Sequence, residues 1–168
     1  MFRSARAIVF CAAMAAGGAS AAPQLMSGEW ARAACEAWNA DAVLPVKLHE
    51  SGWAANNKKR GFKRLRTDCP TSPPVELRIE PRDGRAQCVL GGKAQPPDLD
   101  TDVEYSMTAE TRRWQEMGRG EYGPMRAMMF GRLSFDGPMG EAMGNMGPFE
   151  SFLLLVGKVP GETGECPK

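Results

Sequence analysis

Along this chain the spacing of apolar residues switches repeatedly between the period of a helix and that of a strand. After Ser27, a residue suited to cap a helix, Trp30, Ala34, Ala37 and Trp38 share one helical face, and Asn39 to Asp41 ends it. Val43 to Leu48 is short and fits either element. In Val75-Glu76-Leu77-Arg78-Ile79-Glu80 apolar and charged residues alternate strictly, which predicts a half-buried strand with Glu76 and Glu80 in solvent. Asp83-Gly84 marks a hairpin turn, and Ala86 to Leu90 returns before Gly91-Gly92. Val103 to Met107 alternates again, with Val103, Tyr105 and Met107 inward and Glu104 outward. One apolar and one polar face predict a sheet covered by helices on a single side.

The second half is punctuated by glycine and proline. Thr108 is placed to cap a helix, Glu110 suits its positive end, and Trp114 and Met117 form its buried face before Gly118 and Gly120. Pro124 opens a short helix bearing Met125, Met128 and Met129, which Gly131 ends. Leu133 and Phe135 point to one side of the next strand. Pro138 then opens a helix with Met139, Met143 and Met146 on one stripe, broken by Gly147-Pro148. Phe149, Phe152, Leu153 and Val156 give a last apolar face. The tail from Pro160 is polar and frays unless Cys166 ties it down. Seven methionines, from Met117 to Met146, thus fall on faces expected to turn inward. Flexible thioethers specify tight packing poorly and suit a cavity for irregular apolar molecules.

The N-terminus changes the compartment. Arg3 and Arg6 precede an apolar run from Ala7 to Ala16, and Ala19-Ser20-Ala21 fits a signal-peptidase site, so residues 1–21 read as a secretory signal. The remaining 147 residues, 22–168, suit one domain in the periplasm or outside the cell. Without Arg3 and Arg6, 21 basic residues become 19 against 20 acidic, a balance that excludes a dedicated nucleic-acid binder. Four cysteines remain, Cys35, Cys69, Cys88 and Cys166, an even number that predicts two disulfides in an oxidising compartment. Of the three pairings, Cys69 with Cys88 and Cys35 with Cys166 is favoured. The stretch from Ser51 to Thr67 holds six basic residues and no acid, flanked by Trp53 and Phe62. It reads as a solvated loop entering an edge strand, or more sharply as a surface for transient contact with anionic membrane lipids.

No catalytic or cofactor pattern stands out. His49, the single histidine, has no evident nucleophile to activate, and neither a Gly-x-Ser-x-Gly elbow nor a His-Glu-x-x-His motif occurs. No Cys-x-x-Cys pair suggests zinc. Met139, Met143 and Met146 offer three soft sulfurs on one helix, which leaves a periplasmic Cu(I) carrier as a minor alternative. No cofactor, no resident metal and a monomeric state are expected.

The order of residues from Val75 to Val156 resembles the sterol carrier protein 2 family. Val75 to Leu90 is similar to that family's hairpin, Asp102 to Met107 to the next strand, Ala109 to Met117 to the helix, and Gly120 to Met129 to the turn and short helix. Phe130-Gly131-Arg132-Leu133-Ser134-Phe135-Asp136-Gly137 and Met139-Gly140-Glu141-Ala142-Met143 complete the pattern. The resemblance implies an α+β fold, a five-stranded mixed β-sheet with helices on one face, enclosing an apolar tunnel. It implies a non-enzymatic carrier of a sterol or other lipid. The tunnel is then expected to be lined by Val103, Tyr105, Met107, Trp114, Met117, Met125, Met128, Met129, Leu133, Phe135, Met139, Met143, Met146, Phe149, Phe152 and Leu153. Entry would need the C-terminal helix from Phe149 to Val156 to move aside. The rival reading is an accessory interaction module with a filled core.

Overall fold

The computed structural model describes residues 21–55, 60–95 and 100–168; the run up to Ser20 that reads as a secretory signal and the pair Lys58 and Lys59 lie outside them. Two helices, α1 (Gly28–Ala40) and α2 (Leu44–Glu50), and a 3-10 turn (Trp53–Ala55) lead into the strands β1 (Arg60–Arg66), β2 (Val75–Arg82), β3 (Arg85–Lys93) and β4 (Tyr105–Ala109). Helices α3 (Thr111–Gly118) and α4 (Pro124–Met129), strand β5 (Ser134–Asp136), and helices α5 (Met139–Gly144) and α6 (Met146–Lys158) follow. The five strands form one mixed sheet in the order β3-β2-β1-β4-β5. Only β1 and β4 run parallel, with Phe62 opposite Tyr105 and Arg64 opposite Met107.

The local reasons are those of the sequence. Ser27 caps α1, its side chain accepting from the Trp30 N–H at 3.1 Å. Trp30, Ala34 and Trp38 are fully buried on the stripe that faces the sheet. Asp41 starts α2, accepting from the Val43 and Leu44 amides at 2.8 and 3.0 Å, and also holds Lys158 of α6 at 2.7 Å. On β2, Val75, Leu77 and Ile79 all point inward, across a shift of register against β3 between Arg78 and Ile79. Gly91 of β3 lies so close to α1 that an added Cβ would meet the Ala31 carbonyl oxygen at 2.1 Å, so only glycine permits this helix–sheet contact.

Several expectations are corrected here. Thr108 is a strand residue opposite Leu65; α3 begins at Thr111 with Glu110 as its cap. The methionine stripe is cut at Asn145: Met139 and Met143 belong to α5 and Met146 opens α6, which tolerates Gly147-Pro148 because proline fits a first turn. Four methionines do not turn inward. Met125, Met129, Met139 and Met143 are 41 to 71% exposed, because the small residues Ala127 and Ala142 make the buried contacts of their short helices.

The basic stretch is not a solvated edge. Strand β1 is central, and Lys63, Arg64 and Arg66 are buried. Lys63 pairs with Glu104 at 2.9 Å on the outer face, where Glu76 is also buried and held by Arg78 at 3.0 Å. Arg66 donates to Thr111 Oγ1, the Glu165 carbonyl and the Thr163 carbonyl, which draws the polar tail onto the sheet.

The disulfides are Cys35–Cys88 and Cys69–Cys166, not the favoured pairing. Helix α1 lies across β3, which sets Cys35 over Cys88, while the β1–β2 loop meets the tail and sets Cys69 beside Cys166. The tail is therefore not frayed. Ser72 donates to the Pro167 carbonyl at 2.6 Å, and Gln24 forms a bridge with Glu162.

Candidate functional site

An apolar cleft opens between the inner face of β1, β4 and β5 and the helices above it. Its floor is Phe62, Tyr105, Met107 and Phe135. Trp38, Leu44, Leu48 and Trp53 from the first helices make one wall, and Ala142, Asn145, Pro148, Phe149 and Phe152 from α5 and α6 make the other wall and the roof. Alternation on the strands supplies the floor, since residues two apart share a face. Helical spacing supplies the roof, with Phe149 and Phe152 one turn apart.

Aromatic rings fill most of the interior. Phe62 lies 4.7 Å from Phe152, 5.2 Å from Tyr105 and 5.6 Å from Trp53 between ring centroids. Phe135 continues the series to Phe149 at 5.5 Å. Counted to its mouth the cleft measures about 340 Å3, yet only about 30 Å3 is clear of side chains, room for about one water. A larger molecule enters only if the roof moves.

The polar groups gather at the mouth. Trp53 Nε1 donates to the Tyr105 hydroxyl at 2.8 Å, and that hydroxyl donates to Glu141 Oε2 at 2.8 Å. Asn145 donates to the Glu141 carbonyl at 2.9 Å. Trp53 and Asn145 line both the cleft and a shallow outer depression. The arrangement presents an apolar chamber with one hydrogen-bonding rim, a geometry suited to holding an apolar molecule with one polar end.

Behind the roof sits an unusual charge. Arg64 is 1% exposed and none of its three guanidinium nitrogens has a hydrogen-bond partner. The group stacks 4.1 Å from the centroid of Phe152 and 5.4 Å from Trp30. Burial lowers its pKa to about 9.

Of the residues expected to line a tunnel, the structure brings Tyr105, Met107, Phe135, Phe149 and Phe152 together in the cleft. Trp114, Met117, Leu133 and Leu153 are buried in the same core but away from the cleft, and Trp114 Nε1 donates to the Leu65 carbonyl at 3.1 Å. Met128 and Met146 are partly buried against that core, and Val103 is buried outside it. Met125, Met129, Met139 and Met143 face outward. Beyond the expected lining stand Ala142, Asn145 and Pro148, Phe62, and the whole first wall of Trp38, Leu44, Leu48 and Trp53. Its signal was present in the paired spacing of Trp38 and in Trp53 and Phe62 flanking the basic stretch. Among the described residues no three or more His, Cys, Asp or Glu side chains gather where they could hold a metal, and no helix is long and apolar enough to cross a membrane.

One-sided helices on a five-stranded mixed sheet of this order define a domain of sterol-carrier type. The crystal structure of sterol carrier protein 2 aligns with a TM-score of 0.56 at 16% identity, covering 82% of this chain and 100% of that one. The solution structure of a conserved hypothetical protein from Thermus thermophilus, described as possibly a sterol carrier protein, aligns with a TM-score of 0.54 at 16% identity over 85% and 94% of the two chains. No curated protein sequence matches the chain. The sequence itself settles the family: residues 47–150 match the model of the SCP-2 sterol transfer family, and the chain belongs to it.

Proposed function

We propose that this protein binds one hydrophobic molecule, a sterol or another lipid, in the apolar cleft and transfers it without chemical change in an exported compartment. The observation that carries the reading is the aromatic chamber roofed by Phe149 and Phe152 with its hydrogen-bonding rim at Tyr105 and Glu141. Membership of the SCP-2 sterol transfer family supports it. Burying about 400 Å2 of ligand surface is worth on the order of 10 kcal/mol before association costs. That gain is nearly indifferent to ligand identity, so selectivity rests on shape and on the rim. Export is supported by the charged, apolar and small-residue run before Ala22 and by two disulfides, which persist in oxidising surroundings.

Entry requires α6 to lift. Its far end is fastened by Lys158 on Asp41, so the motion pivots there and lifts the Asn145 end, where α5 gives way to α6. Native mass spectrometry of protein purified from its own compartment, followed by organic extraction, should show one apolar molecule per chain. Ala142→Phe, which fills the chamber from α5, should lower retention at least about tenfold by removing the volume a ligand needs. An empty, stable wild type that takes up no lipid would overturn carriage and establish the interaction module with a filled core.

A further inference from the structure

The turn between α4 and β5 presents the two most exposed of the large apolar side chains among the described residues. Met129 is 71% and Phe130 63% exposed, with Met125 at 41% one turn earlier. None of the three lines the cleft. Their exposure is built into the backbone. Gly131, at φ +63°, closes α4 in the left-handed conformation. Its N–H donates to the Met128 carbonyl at 3.1 Å, and the Arg132 N–H donates to the Ala127 carbonyl at 2.8 Å. This is a Schellman-type cap, which favours glycine at that position and is sealed from within by an apolar contact. Buried Ala127 and Leu133 stand on the inner side. A fixed turn therefore holds an apolar tip in water, where soluble proteins seldom leave one unused.

Within the segment that carries the tip the charge has one sign. Between Tyr122 and Phe135 the chain carries Arg126 and Arg132 and no acid. The Arg132 guanidinium lies 4.5 Å from the Tyr122 ring centroid and has no carboxylate partner among the described residues. It borders a recess of about 280 Å3 with the side chains of Thr67, Thr108 and Ser134. Glu110 and Arg113 border the same recess, and Arg113 is neutralised by Glu116 at 2.8 Å. Apolar side chains next to hydroxyls and a guanidinium that stacks on Tyr122 and Phe130 without an ion-pair partner among the described residues match the layering of a phospholipid interface, with acyl boundary beneath and phosphate above.

We infer that the α4–β5 turn docks the protein on an anionic phospholipid surface, Met129 and Phe130 entering the acyl boundary and Arg132 meeting lipid phosphate. Docking needs no occupant in the cleft, so it stands or falls apart from lipid carriage. The test is flotation with vesicles of phosphatidylcholine alone and of an equal mixture with phosphatidylglycerol, using the chain from Ala22 onward, which contains every strand and helix among the described residues. Wild type should favour the mixed vesicles. The double substitution M129S/F130S should weaken binding to them at least about tenfold, from lost insertion of two large side chains. Arg132→Gln should weaken binding about fivefold on mixed vesicles and little on phosphatidylcholine alone. Leu90→Ser, which alters an exposed apolar residue on β3, should change nothing, and equal urea midpoints confirm intact folds. Wild type that fails to float with mixed vesicles, or M129S/F130S that floats as well as wild type, would overturn the proposal, whatever the cleft retains.

Discussion

Reducing both disulfides should bring the protein close to unfolding. Each closes a long loop, with cysteines 53 and 97 positions apart, and loops of that size restrict the unfolded chain by roughly 4 to 5 kcal/mol each. A domain of this size has only about 5 to 15 kcal/mol in total. The two loops interleave, since Cys69 lies inside the Cys35–Cys88 loop and its partner outside, so their effects add incompletely. Either double serine variant should lower the thermal midpoint by about 8 to 16 °C. C69S/C166S should be the worse of the two. It frees the tail whose Thr163 and Glu165 carbonyls satisfy buried Arg66, leaving a charge with fewer partners. Cys35 and Cys88, by contrast, lie in a helix–sheet contact that Gly91 also supports. Scanning calorimetry of wild type, reduced protein and both variants checks this; a reduced protein with its midpoint within a few degrees of wild type would contradict it.

The sheet was legible where alternation was strict. Val75 to Leu90 and the inward Tyr105 and Met107 stand as read, because a period of two leaves one choice of face, but Glu76, expected in solvent, is buried on the outer face against Arg78. Strand β1 was opaque for the opposite reason. Phe62, Arg64 and Arg66 share its inner face, and a pattern of charges gives no hint that a guanidinium lies under a helix roof. The disulfide number followed from the even cysteine count and an expected oxidising compartment, but the pairing depended on α1 lying across β3, a tertiary fact. The methionines show the limit of a periodic stripe most plainly. Met125 and Met129 are four apart, as buried residues would be, yet the packed positions of α4 are Pro124 and Ala127. Small residues allow a helix to approach its neighbour closely and leave the long side chains outside. Periodicity identifies a face and not the side on which that face lies. The cleft was half legible, its floor and roof from strand alternation and the last helix, its first wall hidden in an N-terminal third with weaker signals.

Arg64→Met should make the protein more stable, against the usual direction of core substitutions. A buried charge without hydrogen bonds costs several kcal/mol. Its stacking on Phe152 and Trp30 recovers only part, at about 2 kcal/mol for a desolvated cation–π contact. Methionine keeps the length and favourable contacts with both rings while removing the charge. The expected gain is about 2 kcal/mol, seen as a higher urea midpoint at unchanged slope. The pH dependence identifies the cause. Burial lowers the Arg64 pKa to about 9 in the folded protein, so below pH 9 the folded and unfolded states are both charged and the full penalty applies. Above pH 9 the folded state releases its proton first, the unfolded state binds more protons, and wild-type stability recovers with rising pH. The advantage of Arg64→Met should therefore be largest at neutral pH and shrink above pH 9, while the tyrosines and lysines common to both proteins cancel in the difference. Phe152 belongs to α6, the roof proposed to lift for entry, so relieving the charge beneath it should also hold the roof down and slow uptake of a lipid. An Arg64→Met protein less stable than wild type at neutral pH would mean that the two rings hold the guanidinium more strongly than water does.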